Sequence, residues 1–153
     1  GWRGLIGGRS VPFNLWPRLA VLVAALWWVS LGTIGFFVVP MLFVYLPTPA
    51  MAGSMAAKLF SAQTWVSSVC GMLLLILANR SLAPVPAARV AIILVAVGVL
   101  LALLAEFAVA PRIVARYNLR VWHGVGSAMY LLQWLCAAAT FWKLMSPRQG
   151  NQS

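Results

Sequence analysis

LAVLVAALWWVSLGTIGFFVVPMLFVYL, residues 19–46, runs twenty-eight residues without a charged side chain. About 20 apolar residues at roughly 1.5 Å each are enough to cross a ~30 Å hydrocarbon core as a helix. The stretch therefore reads as a membrane span, and three more follow it, at about residues 59–78, 90–110 and 121–144. A chain with 63% hydrophobic and 8% charged residues and a mean hydropathy of +0.96 has the composition of a polytopic membrane protein. In lipid every backbone polar group has to be satisfied within the structure, which helices achieve and lone strands do not. The expected fold is an all-α integral membrane protein, a single domain over residues 1–153 built as an antiparallel bundle of four transmembrane helices, with short disordered termini.

The links are short. Pro47, Thr48 and Pro49 form one turn, and Pro84 and Pro86 punctuate another, so consecutive spans are expected to be antiparallel. Pro111 to Arg120 reads either as an interfacial helix or as a continuation of span three. Pro40 lies near the end of a first span longer than ~20 residues, where a tilt or kink is expected. That run is about twice the length of a signal-peptide apolar region, so span one is expected to be retained.

A net charge of +10 invites a nucleic-acid reading, but the Lys and Arg residues stand at span ends and not on one soluble face. Such flanking charge records topology. Arg3, Arg9, Arg18, Arg80, Arg89, Lys143 and Arg148 lie on one side, and Lys58, Arg112, Arg116 and Arg120 on the other. The seven-to-four bias predicts both termini in the cytoplasm. Trp2, Trp16, Trp65 and Trp122 suit the interfaces, while Trp27, Trp28, Trp134 and Trp142 suit helix packing or lipid contact.

Chemical signals are few. Cys70 and Cys136 fall inside spans with no metal-ligand spacing and read as small packing residues. There are no paired carboxylates, no nucleophile and base set and no phosphate loop, so an enzyme is not expected. Small residues four apart, Gly53 and Ala57, Ser67 and Gly71, Gly98 and Ala102, together with Gly32 and Gly35, are expected to let helices approach closely.

Glu106 is the only acidic residue and His123 the only histidine. A charge at mid-membrane costs about 3 kcal/mol on insertion scales, so something has to compensate it. Spans three and four are antiparallel, which brings Glu106 toward His123, with Arg112 as another available cation. His123, Ser127, Tyr130 and Trp134 follow one helical stripe at i, i+4, i+7 and i+11. Glu106, His123, Ser127, Tyr130 and Arg112 are thus the candidate polar or proton-relay site, with Gln63, Thr64 and Tyr45 on the same membrane side.

Residues 26–60, LWWVSLGTIGFFVVPMLFVYLPTPAMAGSMAAKLF, carry Trp27, Gly32, Pro40, Leu42, Phe43, Ala52, Gly53, Leu59 and Phe60. Residues 106–134 include APRIV and WHGVGSAMYLLQW, with Pro111, Arg112, His123, Gly124 and Ser127. In these features the chain resembles small bacterial membrane proteins of unknown function related to eukaryotic transmembrane protein 205. The resemblance runs over roughly residues 20–140. It implies four spans and no established reaction. The eukaryotic relatives are linked to platinum-drug resistance, which points toward export or metal handling but fixes no residue. A weaker similarity reaches the four-helix haem-binding protoporphyrinogen oxidase and copper-resistance membrane domains. Those haem proteins use a histidine in the first helix, and span one here has none. With His123 alone a haem would need Met or another protomer as second axial ligand, so no cofactor is expected.

Three roles are therefore weighed: an accessory or structural component partnered by lipid and by other membrane subunits or a second copy; a carrier or exporter of a small solute or metal using Glu106 and His123; and a haem- or metal-binding protein. The first is favoured.

Overall fold

A computed structural model describes residues 15–81, 86–115 and 118–146. Its helices are α1 (Leu15–Gly32), α2 (Val39–Tyr45), α3 (Pro49–Ser81), α4 (Pro86–Leu104), α5 (Ala110–Val114) and α6 (Leu119–Met145), with no strand among the described residues. Two π-helical turns, Thr33–Val38 and Ala105–Val109, join α1 to α2 and α4 to α5 without a break. Among the described residues four continuous helices are long and apolar enough to cross a bilayer: Leu15–Tyr45, Pro49–Asn79, Arg89–Ile113 and Arg120–Met145. The molecule is an all-α four-helix bundle with the make-up of a multi-pass membrane protein. The termini and the Pro84 turn lie outside the described residues.

Span two begins ten residues before Leu59, because the link carries its own start signal. Thr48 Oγ1 accepts the N–H of Met51 at 3.2 Å and the Thr48 carbonyl accepts the N–H of Ala52. Thr48 is thus an N-cap, followed by proline at the first helical position, where a missing N–H costs nothing. At the other link, Asn118 takes a left-handed conformation (φ 46°), and its carbonyl accepts the N–H groups of Val121 and Trp122 to start α6. Asparagine tolerates that backbone better than most residues. α5 runs straight on from the second π turn, so this part of Pro111 to Arg120 continues span three.

α1 packs on α3 and α6, and α4 packs on the same two. The order around the bundle is α1, α3, α4, α6, an up-and-down arrangement closed by α6 against α1. The core joins Trp27, Leu31, Leu74 and Val95 to small residues such as Ala20, Ala24 and Ala137. Outward-facing side chains are large and apolar, with Phe37, Val44, Trp65, Phe107 and Trp142 all more than three-fifths exposed. An apolar surface of this extent would drive association in water and is at home in lipid.

The small residues divide in how they serve this packing. A Cβ on Gly98 would meet the Trp27 ring at 2.6 Å, one on Gly71 would strike Val99, and one on Gly32 would meet Trp134 Nε1 at 3.2 Å. Ser67 and Ala102 are buried with them. Gly53 and Ala57 do not fit the expectation. A Cβ on Gly53 would meet nothing within 4 Å, and Ala57 is exposed. The inward small pair on that turn is Ala52 and Ala56, one residue earlier, so the close-approach face is rotated by about 100°. Cys70 and Cys136 are free thiols, Cys70 in the core.

Candidate functional site

Both π turns stop one residue short of a proline. The N–H of Val39 bonds the carbonyl of Ile34, and that of Ala110 bonds the carbonyl of Ala105, each five residues back. In this register the donors to the carbonyls of Gly35 and Glu106 would come from Pro40 and Pro111, which have no N–H. Spans one and three run the same way, so the two turns lie in the same half of the bundle, toward the end where the 46–48 and 115–118 links are found. We call this the far end.

Each π turn receives one side chain from another span. Tyr130, on α6, donates its hydroxyl to the carbonyl of Leu31 at 2.5 Å, and its ring lies against Gly35. The contact falls at the start of the Thr33–Val38 turn. Glycine at 35 is what allows it, because a Cβ there would fall on the tyrosine ring. On the opposite side of the bundle, Ser61 on α3 donates to Glu106 Oε1 at 2.6 Å. Phe60, next to Ser61, meets the Tyr130 ring edge-on with centroids 5.2 Å apart. Leu31 and Gly35, Tyr130, Phe60 and Ser61, and Glu106 thus form one belt through all four spans.

Behind the belt lies a buried polar layer. Gln63 Nε2 donates to Ser30 Oγ at 3.0 Å and to Ser67 Oγ at 3.3 Å, and Ser67 donates to Gln133 Oε1 at 2.8 Å. Gln63, Ser67 and Gln133 are all at most 4% exposed, so the layer ties α1, α3 and α6 together out of contact with lipid. Thr64 is also buried, and bonds the carbonyl of Phe60 within its own helix.

The candidate residues read from the sequence end in two places. Glu106 and Tyr130 join the belt. His123 and Ser127 are exposed on the outer surface of α6, and Tyr45 is exposed at the far end of span one. Arg112 does not neutralise Glu106: its guanidinium donates to the carbonyl of Ala108 at 2.8 Å and lies 4.6 Å from the centre of the Trp122 ring. Glu106 is held by a serine hydroxyl instead, and Ser61, with Phe60 and Gln133, was not among the residues the sequence singled out for the site. Among the described residues no group of three or more His, Cys, Asp or Glu side chains comes together to hold a metal.

The model of a family described as a domain of unknown function, DUF4149, matches residues 22–121. The chain belongs to that family. The DUF4149 match takes in Leu31, Gly35, both prolines, Ser61, Gln63, Ser67 and Glu106, and ends before Tyr130 and Gln133. No curated protein and no solved structure matches the chain.

Proposed function

We propose that this DUF4149 protein is a non-enzymatic component of the bacterial inner membrane, an accessory or structural subunit that joins a larger assembly through the outer face of span four, with both termini cytoplasmic. The observation that carries the reading is the placement of His123, Gly124, Ser127 and Ala128, all exposed on α6. A Cβ on Gly124 would meet nothing within 4 Å. Small and polar residues facing lipid give up the dispersion contacts that larger side chains would make, whereas against a neighbouring helix they permit close approach and hydrogen bonds. The inside of the bundle supports the same reading. Its polar layer is hydrogen-bonded within the chain, and the cavity between Ala20, Leu74, Val95 and Thr140 measures about 10 Å³, room for about one water.

Photocrosslinking in native membranes tests this. A photoreactive residue at Ser127 should give a discrete protein adduct, and one at Val69, exposed on span two, should label lipid. Gly124→Leu should abolish the adduct without lowering the melting temperature. An adduct at twice the chain mass would identify the partner as a second copy; lipid labelling alone at both positions would remove the accessory role.

A carrier for a small solute or metal is the second reading, and the Glu106–Ser61 pair is what favours it, as a carboxyl within the span depth that has a hydroxyl and, among the described residues, no base for its partner. The likeness to relatives of transmembrane protein 205 belongs to the same proposal and adds no residue to it.

A further inference from the structure

Glu106 stands seven residues before the end of its span at Ile113, roughly 10 Å along the helix axis. Both it and Ser61 are half-buried, so the pair is in reach from outside the bundle core. Among the described residues the carboxyl makes no ion pair. The described cations nearest in the chain and on neighbouring elements are directed elsewhere: Arg112 to the Ala108 carbonyl and the Trp122 face, His123 and Arg120 to the exposed surface of α6, and Lys58 to the exposed end of α3 beside Met55. The carboxyl's hydrogen-bond partner among the described residues is a hydroxyl, Ser61 Oγ, 2.6 Å away, and Phe60, next to Ser61, meets the Tyr130 ring edge-on. A carboxyl within the span depth that has a hydroxyl and, among the described residues, no cation for partner has its charge matched by something small that comes and goes. Hard oxygen donors of this type suit a proton or an alkali ion and not a soft metal.

The geometry points to Glu106 and Ser61 as the core of an exchange site for a small monovalent cation, a proton or a sodium ion, reached from the far end of the bundle. The site is independent of the accessory role on α6, since it uses neither His123 nor Ser127.

The test exploits the fact that Glu106 is the only Asp or Glu in the chain. The full-length protein in lipid nanodiscs is treated with N,N′-dicyclohexylcarbodiimide, a lipid-soluble reagent for protonated carboxyls, and the adduct is located by peptide mass mapping. One adduct on Glu106 is expected, absent in Glu106→Gln. Protection by sodium chloride but not by choline chloride identifies sodium; protection in choline on raising the pH identifies the proton. Ser61→Ala should shift the half-protecting sodium concentration or proton activity about tenfold, the size of one hydrogen bond to a charged group. A folded, monodisperse parent that takes no label in any of these conditions overturns the proposal. So does labelling indifferent to both sodium and pH, or a half-protection point that Ser61→Ala leaves in place.

Discussion

The hydroxyl of Tyr130, on the last span, donates to the carbonyl of Leu31 on the first, and its ring lies where a Cβ on Gly35 would stand. The π turn follows at once, from Thr33 to Val38, and Pro40 removes the donor that would restore the regular ladder beyond it. A side chain of the last span thus meets the first where its helix register changes. Long-range order of this kind holds α6 against α1 at the far end, where the apolar core has ended.

Tyr130→Phe keeps the ring against Gly35 and deletes only the bridge. The Leu31 carbonyl then loses the donor that reaches it from another span. The expected cost is about 1–2 kcal/mol, the range for one buried or intramembrane hydrogen bond. Reversible unfolding in mixed micelles with rising dodecyl sulfate measures it. A variant as stable as the parent would mean that the phenol oxygen contributes nothing to holding the turn.

Gly35→Ala tests the steric half of the same contact. The new methyl falls on the Tyr130 ring, which is attached to a buried bundle face and cannot simply swing away, so overpacking of about 1–3 kcal/mol is expected. Gly53→Ala is the control, since its methyl meets nothing within 4 Å and should change stability little. Equal melting temperatures for the two variants in detergent would refute the ranking.

Ser67→Ala removes the hydroxyl that links Gln63 to Gln133 at a position with no exposed surface. The Gln133 oxygen loses its donor, and a loss of about 1–2 kcal/mol is expected. Ser67→Ala with Gln133→Leu takes both partners of that bond away together and should cost less than the sum of the two single changes, because the Gln133 oxygen is no longer there to be left without its donor, while Gln63 keeps its bond to Ser30. Strict additivity would show that the two side chains are not coupled.

Hydropathy alone made the four spans legible, since a bilayer demands length and apolarity and little else. The site was legible only in part. Glu106 and Tyr130 stood out as rare groups in apolar runs, whereas Ser61 is one small hydroxyl among several in α3 and nothing local marks it. The stripe from His123 to Trp134 is real helical geometry, but it runs along the edge of the inward line that passes through Gln133, Ala137 and Thr140. Its upper half, Tyr130 and Trp134, meets α1, and its lower half faces out. The π turns add a further obstacle. Each inserts about one extra residue, so a count of 3.6 residues per turn carried across Thr33 or Ala105 arrives roughly 100° out of phase.

That phase shift yields the last prediction. Pro111 lacks the N–H that a regular helix would supply to the end of the Ala105–Val109 turn, and Glu106 is held in that turn with its carboxyl on Ser61. Pro111→Ala returns the donor and allows the turn to relax to the α register, which rotates Glu106 by roughly 100° relative to α5. If the π register is what aims the carboxyl, the Ser61 bond should be lost with it. A double-mutant cycle reads this directly. In the parent, Ser61→Ala should cost about 1–2 kcal/mol in micelle unfolding, because it strips a carboxyl of its donor. In the Pro111→Ala background the same change should cost close to nothing. An equal cost in both backgrounds would show that Glu106 finds Ser61 whatever the helix register, and that the proline and its π turn have no part in placing the carboxyl.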